Sequence, residues 1–196
     1  MGKRRWTGVT GAALLLSFAM LLSGCAGNSS REPETGVKIG ADGEITAKIV
    51  ESFDKEYYTE EGLEQFIREE MQAYGKGRIS AIGIDRRDDG ATVSVGMRYG
   101  SAEDYAAFNE VTFFYGTVEQ AQAEGYSLDT ALVNAKGASV QGGADALAGK
   151  HVVIFSETML VTVPTKVLYR SEGSTLVDSK SVRASGDGGL TYVIIK

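Results

Sequence analysis

The 196-residue chain sets 26 acidic against 20 basic residues, for a formal net charge of −6, and has one Cys, one His and one Trp. That inventory excludes an internal disulfide and zinc sites built from several Cys or His, and it argues against the basic face that nucleic acid rewards. Apolar residues make up 43%, enough to give one domain of ordinary size a buried core.

The N-terminus is organised for export. Lys3, Arg4 and Arg5 precede a mostly apolar run from Val9 to Leu22, and Ser23 and Gly24 lead into the only cysteine, Cys25. Basic residues stay at the anionic cytoplasmic side while the apolar run enters the translocation machinery. The run falls short of the roughly 20 residues a permanent membrane helix needs, so residues 1–24 are expected to be a removed signal peptide.

The tetrad Leu22-Ser23-Gly24-Cys25 resembles the lipobox of bacterial lipoproteins at all four positions. The resemblance implies that the Cys25 thiol receives diacylglycerol, with acyl chains of the palmitate class, and that cleavage leaves Cys25 as the first mature residue. Two or more chains anchor a protein stably where one does so only marginally. Loss of Lys3, Arg4 and Arg5, with no acidic residue beside them, moves the net charge from −6 to −9. Neither nucleic acid nor an anionic headgroup layer suits a chain of that sign.

Lipidated Cys25 and the small, polar, aperiodic stretch to Gly36 read as a tether over 25–36, since such a segment has too little apolar surface to order itself. Its mean reach is about 18 Å, and a stretched chain reaches about 35–40 Å. Residues 37–196 are then expected to form a single extracytoplasmic domain.

The domain opens with a strand pair, Val37–Ile39 and Glu44–Ser52, turned at Asp42-Gly43, with Ile45, Ala47 and Ile49 on one face. Thr59 caps a helix with Glu60 and Glu61 in its first turn. Leu63, Phe66, Ile67, Met71 and Tyr74 recur at helical spacing, and Gly75 suits its end. Ile79–Asp85 and Ala91–Tyr99 make the clearest hairpin, closed near Asp89-Gly90; Val93, Val95, Met97 and Tyr99 alternate with polar residues. Ser101 starts a short helix carrying Tyr105 and Phe108, Val111–Tyr115 reads as a strand, and Thr117 with Gln120 forms the capping box of another short helix.

Asn134–Lys150, rich in Gly and Ala, carries little local signal. Strands follow at His151–Phe155, Met159–Val163, Lys166–Arg170 and Leu190–Ile195, with a weaker signal over Leu176–Val182. The last has apolar groups on both faces and should be central in its sheet; Pro164 should sit at a strand end. The fold class is α+β: a mainly antiparallel sheet built from hairpins, with one amphipathic helix and short helices packed against it.

The run from Tyr99 through Tyr105, Phe108, Phe113 and Phe114 to Val118, with Lys166–Arg170 and Leu190–Lys196, resembles small lipoproteins of anaerobic Gram-positive bacteria. The resemblance spans most of the mature chain. It implies the plasma membrane as the anchoring surface and supplies no catalytic residues.

Chemical candidates are few. Ser52 and Lys55 have the Ser-x-x-Lys spacing of penicillin-interacting serine enzymes, but the companion elements are absent and Ser52 ends a strand. Asp85, Asp88 and Asp89 lack the alternation of a calcium loop, and Arg86 and Arg87 oppose a cation there. His151 has no second His or available Cys as a partner, and Gly137–Gly143 lacks both phosphate-loop patterns. Tyr57, Tyr58, Phe66 and Tyr74 are candidates for a stacking platform, with core packing as the favoured alternative because the sole Trp, Trp6, leaves with the signal.

No catalytic residue, metal or cofactor is therefore expected. The expected function is a noncatalytic binding or interaction domain on the extracytoplasmic face of the cell membrane, held by lipid on Cys25 and meeting an envelope protein or ligand. The competing expectation is a carboxylate-dependent hydrolase of glycans, although pairs such as Glu69 and Glu70 point in adjacent directions on a helix.

Overall fold

Two β-sheets carry the fold, and the chain weaves between them. The computed structural model describes residues 34–196 except 56, 76–77, 87–90, 141–145, 185 and 187. The expected signal peptide over 1–24 and the lipobox Leu22, Ser23, Gly24 and Cys25 lie outside the described residues.

In chain order the elements are β1 (Gly36–Ile39), β2 (Ile45–Ser52), α1 (Glu60–Tyr74), β3 (Ile79–Arg86), β4 (Thr92–Tyr99), α2 (Ala102–Asn109), β5 (Phe113–Thr117) and α3 (Val118–Ala123). Then follow β6 (Leu132–Asn134), β7 (His151–Phe155), β8 (Leu160–Thr162), β9 (Val167–Ser171), β10 (Thr175–Asp178), β11 (Ser181–Arg183) and β12 (Thr191–Ile195). The fold is α+β and mainly strand. A seven-stranded sheet runs β10-β11-β8-β1-β2-β4-β3, and a five-stranded sheet runs β5-β7-β12-β9-β6. Among the described residues every strand pairing is antiparallel except β1 with β8.

Hairpins between successive strands join β1 to β2, β3 to β4 and β10 to β11. In the five-stranded sheet every neighbour comes from farther along the chain. After Phe155 the chain passes to the larger sheet as β8, back as β9, over again as β10 and β11, and returns as β12. The two sheets replace the single sheet of hairpins that the sequence predicts. Two interwoven sheets result because strand partners are chosen by long-range packing, which local periodicity does not encode.

One face of each sheet meets in a shared core of Val37, Ile39, Ile45, Ala47, Val95, Met97 and Tyr99 against Phe113, Val153, Phe155, Val193 and Ile195. The other face of the smaller sheet packs Val152, Ile154, Tyr192 and Ile194 against Val118, Ala121, Leu128 and Leu147. All five residues of β12 are buried, as a central strand covered on both faces requires.

α1 runs between the expected caps. Thr59 Oγ1 accepts from the Gly62 N–H at 3.1 Å, and Gly75 adopts φ 68°, which its missing Cβ permits. Leu63, Ile67, Met71 and Tyr74 pack against the core, whereas Phe66 stands half exposed on the helix's outer side. Leu190, expected inside the last strand, precedes it and is also exposed.

The domain begins earlier than the tether boundary at 36 and 37 implied. The Arg183 guanidinium donates to both oxygens of Glu34 at 3.0 and 2.9 Å, Thr35 Oγ1 accepts from the Val50 N–H at 3.0 Å, and Gly36 already pairs with Lys48. The polar composition of 34–36 hid contacts to residues as far away as Arg183.

The core argument is testable by denaturant unfolding. Phe155→Ala, at a fully buried ring between the sheets, is expected to cost about 3–5 kcal/mol. Phe66→Ala should stay within about 0.5 kcal/mol.

Candidate functional site

Past the end of β2 the Phe53 N–H still bonds Ala91 O at 2.7 Å, which fixes the start of an aromatic ladder. The buried Phe53 ring stacks on Tyr58 with centroids 5.3 Å apart and planes 24° apart, and Tyr57 meets Tyr58 edge-on at 4.8 Å. The Arg86 guanidinium carbon lies 5.2 Å from the centre of Phe53. A turn from the Tyr58 N–H to Lys55 O, followed at once by the Thr59 cap, holds the segment against the body. Tyr57 remains 76% exposed and Tyr58 39%. A hydrogen bond between the two hydroxyls, reinforced by their mutual repulsion on ionisation, raises the Tyr58 pKa from its ordinary value.

This corrects the core-packing expectation. Of Tyr57, Tyr58, Phe66 and Tyr74, only Tyr74 packs against the core. The helical period that placed Tyr74 inward begins at Glu60, so it never reached Tyr57 or Tyr58.

The remaining sequence candidates disperse. Ser52 ends β2, where no helical turn brings Lys55 back to it, and the Lys55 ammonium lies 3.6 Å from Asp54. Asp85 lies within β3, paired with Ser94, and Asp88 and Asp89 are outside the described residues. His151 opens β7 between Thr117 and Ile195, its ring 5.9 Å from Tyr115. Gly137, with φ 80°, closes a turn in which Asn134 Oδ1 accepts from Lys136 and Ala138; residues 141–143 are outside the described residues. Glu69 accepts from Gln65 on exposed α1. Among the described residues no group of three or more His, Cys, Asp or Glu is placed to hold a metal ion.

A second polar arrangement, which the sequence did not reveal, fixes α2 to the sheets. Tyr105, buried between them, donates through its hydroxyl to Glu157 Oε2 at 2.7 Å and lies edge-on to Tyr99 and Phe113. Burial raises the Glu157 carboxyl above its ordinary range, with the hydrogen bond from Tyr105 opposing, and pushes the Tyr99 phenol up to about 12. At the other side of α2, Asp104 accepts from Tyr74 at 3.1 Å and faces Arg78 at 3.7 Å. Glu157 stands 52 residues from Tyr105, beyond any local pattern.

Alongside α2 runs an open groove of about 520 Å³ whose wall includes Glu103, Glu110, Glu124 and Tyr126. Chemically, then, the surface offers stacking at Tyr57 and Tyr58 and negative charge at the groove. The half-buried Glu157 carboxyl belongs to a structural bond with a phenol. Comparison with protein-family models, with curated proteins and with solved structures gives no match to this chain.

The Glu157 bond has a pH signature. Its folded pKa lies above the unfolded value, so the native state holds the proton more tightly and stability falls as pH rises through that window. Glu157→Gln keeps an acceptor for Tyr105 and has no proton to lose. Its stability advantage over wild type should be absent below pH 4.5 and grow above it, read from urea midpoints across pH. A pH-independent difference would contradict this account.

Proposed function

We propose that this protein is a lipid-anchored component of the cell envelope whose domain is a noncatalytic binding module on the extracytoplasmic face. The observation that carries the binding role is the ladder of Phe53, Tyr58 and Tyr57. Two large rings stand in water, braced by a third ring and a helix cap, where burial would ordinarily be favoured. Such a surface recovers its hydration cost when a flat apolar face, of a sugar ring or another aromatic group, stacks on it.

The anchoring role rests on the lipobox at Leu22–Cys25, on the basic and apolar segments before it, and on the resemblance to small Gram-positive lipoproteins, which favours the plasma membrane. Residues from Cys25 to about 33 then act as the tether. The acidic balance supports a partner other than nucleic acid. Hydrolysis by paired carboxylates gains no support, because Glu157, which burial raises, is bonded to Tyr105.

Two measurements test the proposal. Cys25→Ser is expected to release the protein from membranes or leave its precursor uncut, and unchanged fractionation and maturation would refute the anchor. Separately, Tyr57→Ala with Tyr58→Ala in the domain from Glu34 should lower retention on isolated cell envelopes at least about tenfold, with little change in melting temperature. Equal retention would remove the ladder as the binding face.

A further inference from the structure

The ends of a β-sheet carry main-chain donors and acceptors with no strand to meet them, and natural proteins blunt such edges. Three of the four edges here are blunted. β3 carries a register shift between Ala81 and Gly83, β10 one between Leu176 and Asp178, and β6 is only three residues long. β5 is the exception. Its five residues, Phe-Phe-Tyr-Gly-Thr, pair with β7 in unbroken register and include no charge and no proline.

Flanking bonds reveal which groups of β5 turn outward. The Ser156 N–H donates to Thr112 O at 3.3 Å and the Val118 N–H to Lys150 O at 2.9 Å. In an antiparallel pair such bonding residues alternate with non-bonding ones, so Phe114 and Gly116 face β7, while Phe113 and Tyr115 direct their N–H and C=O to the free edge. Gln120 Oε1 occupies the Thr117 N–H at 2.8 Å, marking where further pairing stops.

That edge borders the groove beside α2. Ala102 and Ala106 line the helix side with small side chains. Glu103, Glu110 and Glu124, all exposed, make the wall acidic, and Tyr126 adds an apolar surface. An extended chain repeats its side-chain direction about every 6.6 Å, so a segment with cations at alternate positions presents them along one side.

We propose that β5 and α2 together receive an extended basic segment of a partner protein, which adds to β5 as a sixth strand and sets its cationic side chains against Glu103, Glu110 and Glu124. Main-chain bonds supply the pairing and the acidic wall selects the sign of charge. This site is separate from the aromatic ladder and does not require the lipid anchor.

The test uses the full chain in detergent and a fluorescent seven-residue peptide alternating Lys and Val, followed by anisotropy at low salt. Binding is expected, and a Glu-Val peptide should not bind. Two further peptides carry N-methyl groups, one on the Lys amides and one on the Val amides; at least one should bind about tenfold or more weakly, since strand addition needs one alternate set of N–H groups. Glu103→Gln with Glu110→Gln and Glu124→Gln should weaken the parent peptide about tenfold, whereas Glu60→Gln with Glu61→Gln and Glu64→Gln on α1 should not. The proposal is overturned if the parent peptide fails to bind, if both methylated peptides bind as tightly as the parent, or if the two glutamine triples behave alike. A peptide-free dimer cross-linked through β5 would assign the edge to a second copy and equally overturn it.

Discussion

β7 and β12 lie side by side in the middle of the five-stranded sheet, and each sends alternate apolar residues to opposite faces. Val153, Phe155, Val193 and Ile195 enter the core shared with the larger sheet, while Val152, Ile154, Tyr192 and Ile194 enter the layer beneath α3. Two cores therefore share one wall, and loosening it exposes apolar surface on both sides. Fully burying each such side chain contributes about 1.5–3 kcal/mol, so this pair of strands outweighs any single polar contact on the surface. The chain's repeated passage between the sheets after Phe155 follows from the same constraint, since β8, β10 and β11 belong to the larger sheet while β9 and β12 complete the wall.

Legibility in the sequence followed the range of the interaction. Caps depend on residues a few positions apart, and Thr59 with Gly75, Ser101, and Thr117 with Gln120 could be read directly. Two-sided burial of the last strand was legible because it needs apolar residues in succession. The parallel pairing of β1 with β8, the clamp between Glu34 and Arg183 and the bond from Tyr105 to Glu157 join distant residues and leave no local trace. β6 was missed for another reason: three residues are too few to show a period. Tyr57 and Tyr58 were visible as aromatics, but their exposure depends on standing before the helix cap instead of within the amphipathic repeat.

α2 shows how a short helix with little apolar contrast can be held in place. Ser101 accepts from the Asp104 N–H, Asp104 ties the helix to Tyr74 and Arg78, and Tyr105 ties it to Glu157 across the core. Its end is set by Glu110, the only non-glycine residue with positive φ among those described, at φ 55°. Left-handed backbone costs a residue with a Cβ roughly 1–2 kcal/mol, and the Val111 N–H to Ala106 O bond closes the turn that takes the chain into β5. The strained end is thus what lays α2 alongside β5 and opens the groove between them.

The aromatic ladder and the acidic groove lie toward opposite ends of β4. Thr92 pairs with Ser52 beside the aromatic ladder, and Tyr99 leads into α2, with about 23 Å of strand between. That distance exceeds the screening length of roughly 8 Å at physiological ionic strength, so charge at the groove has little influence on stacking at Tyr57 and Tyr58. Their physics also differs: ring stacking is nearly indifferent to salt, whereas attraction to Glu103, Glu110 and Glu124 weakens as salt rises. β4 is hydrogen-bonded on both sides, to β2 and β3, which makes it a stiff spacer instead of a hinge. The aromatic ladder and the groove are therefore independent in both position and physics, and the two proposed sites need no conformational change to act separately.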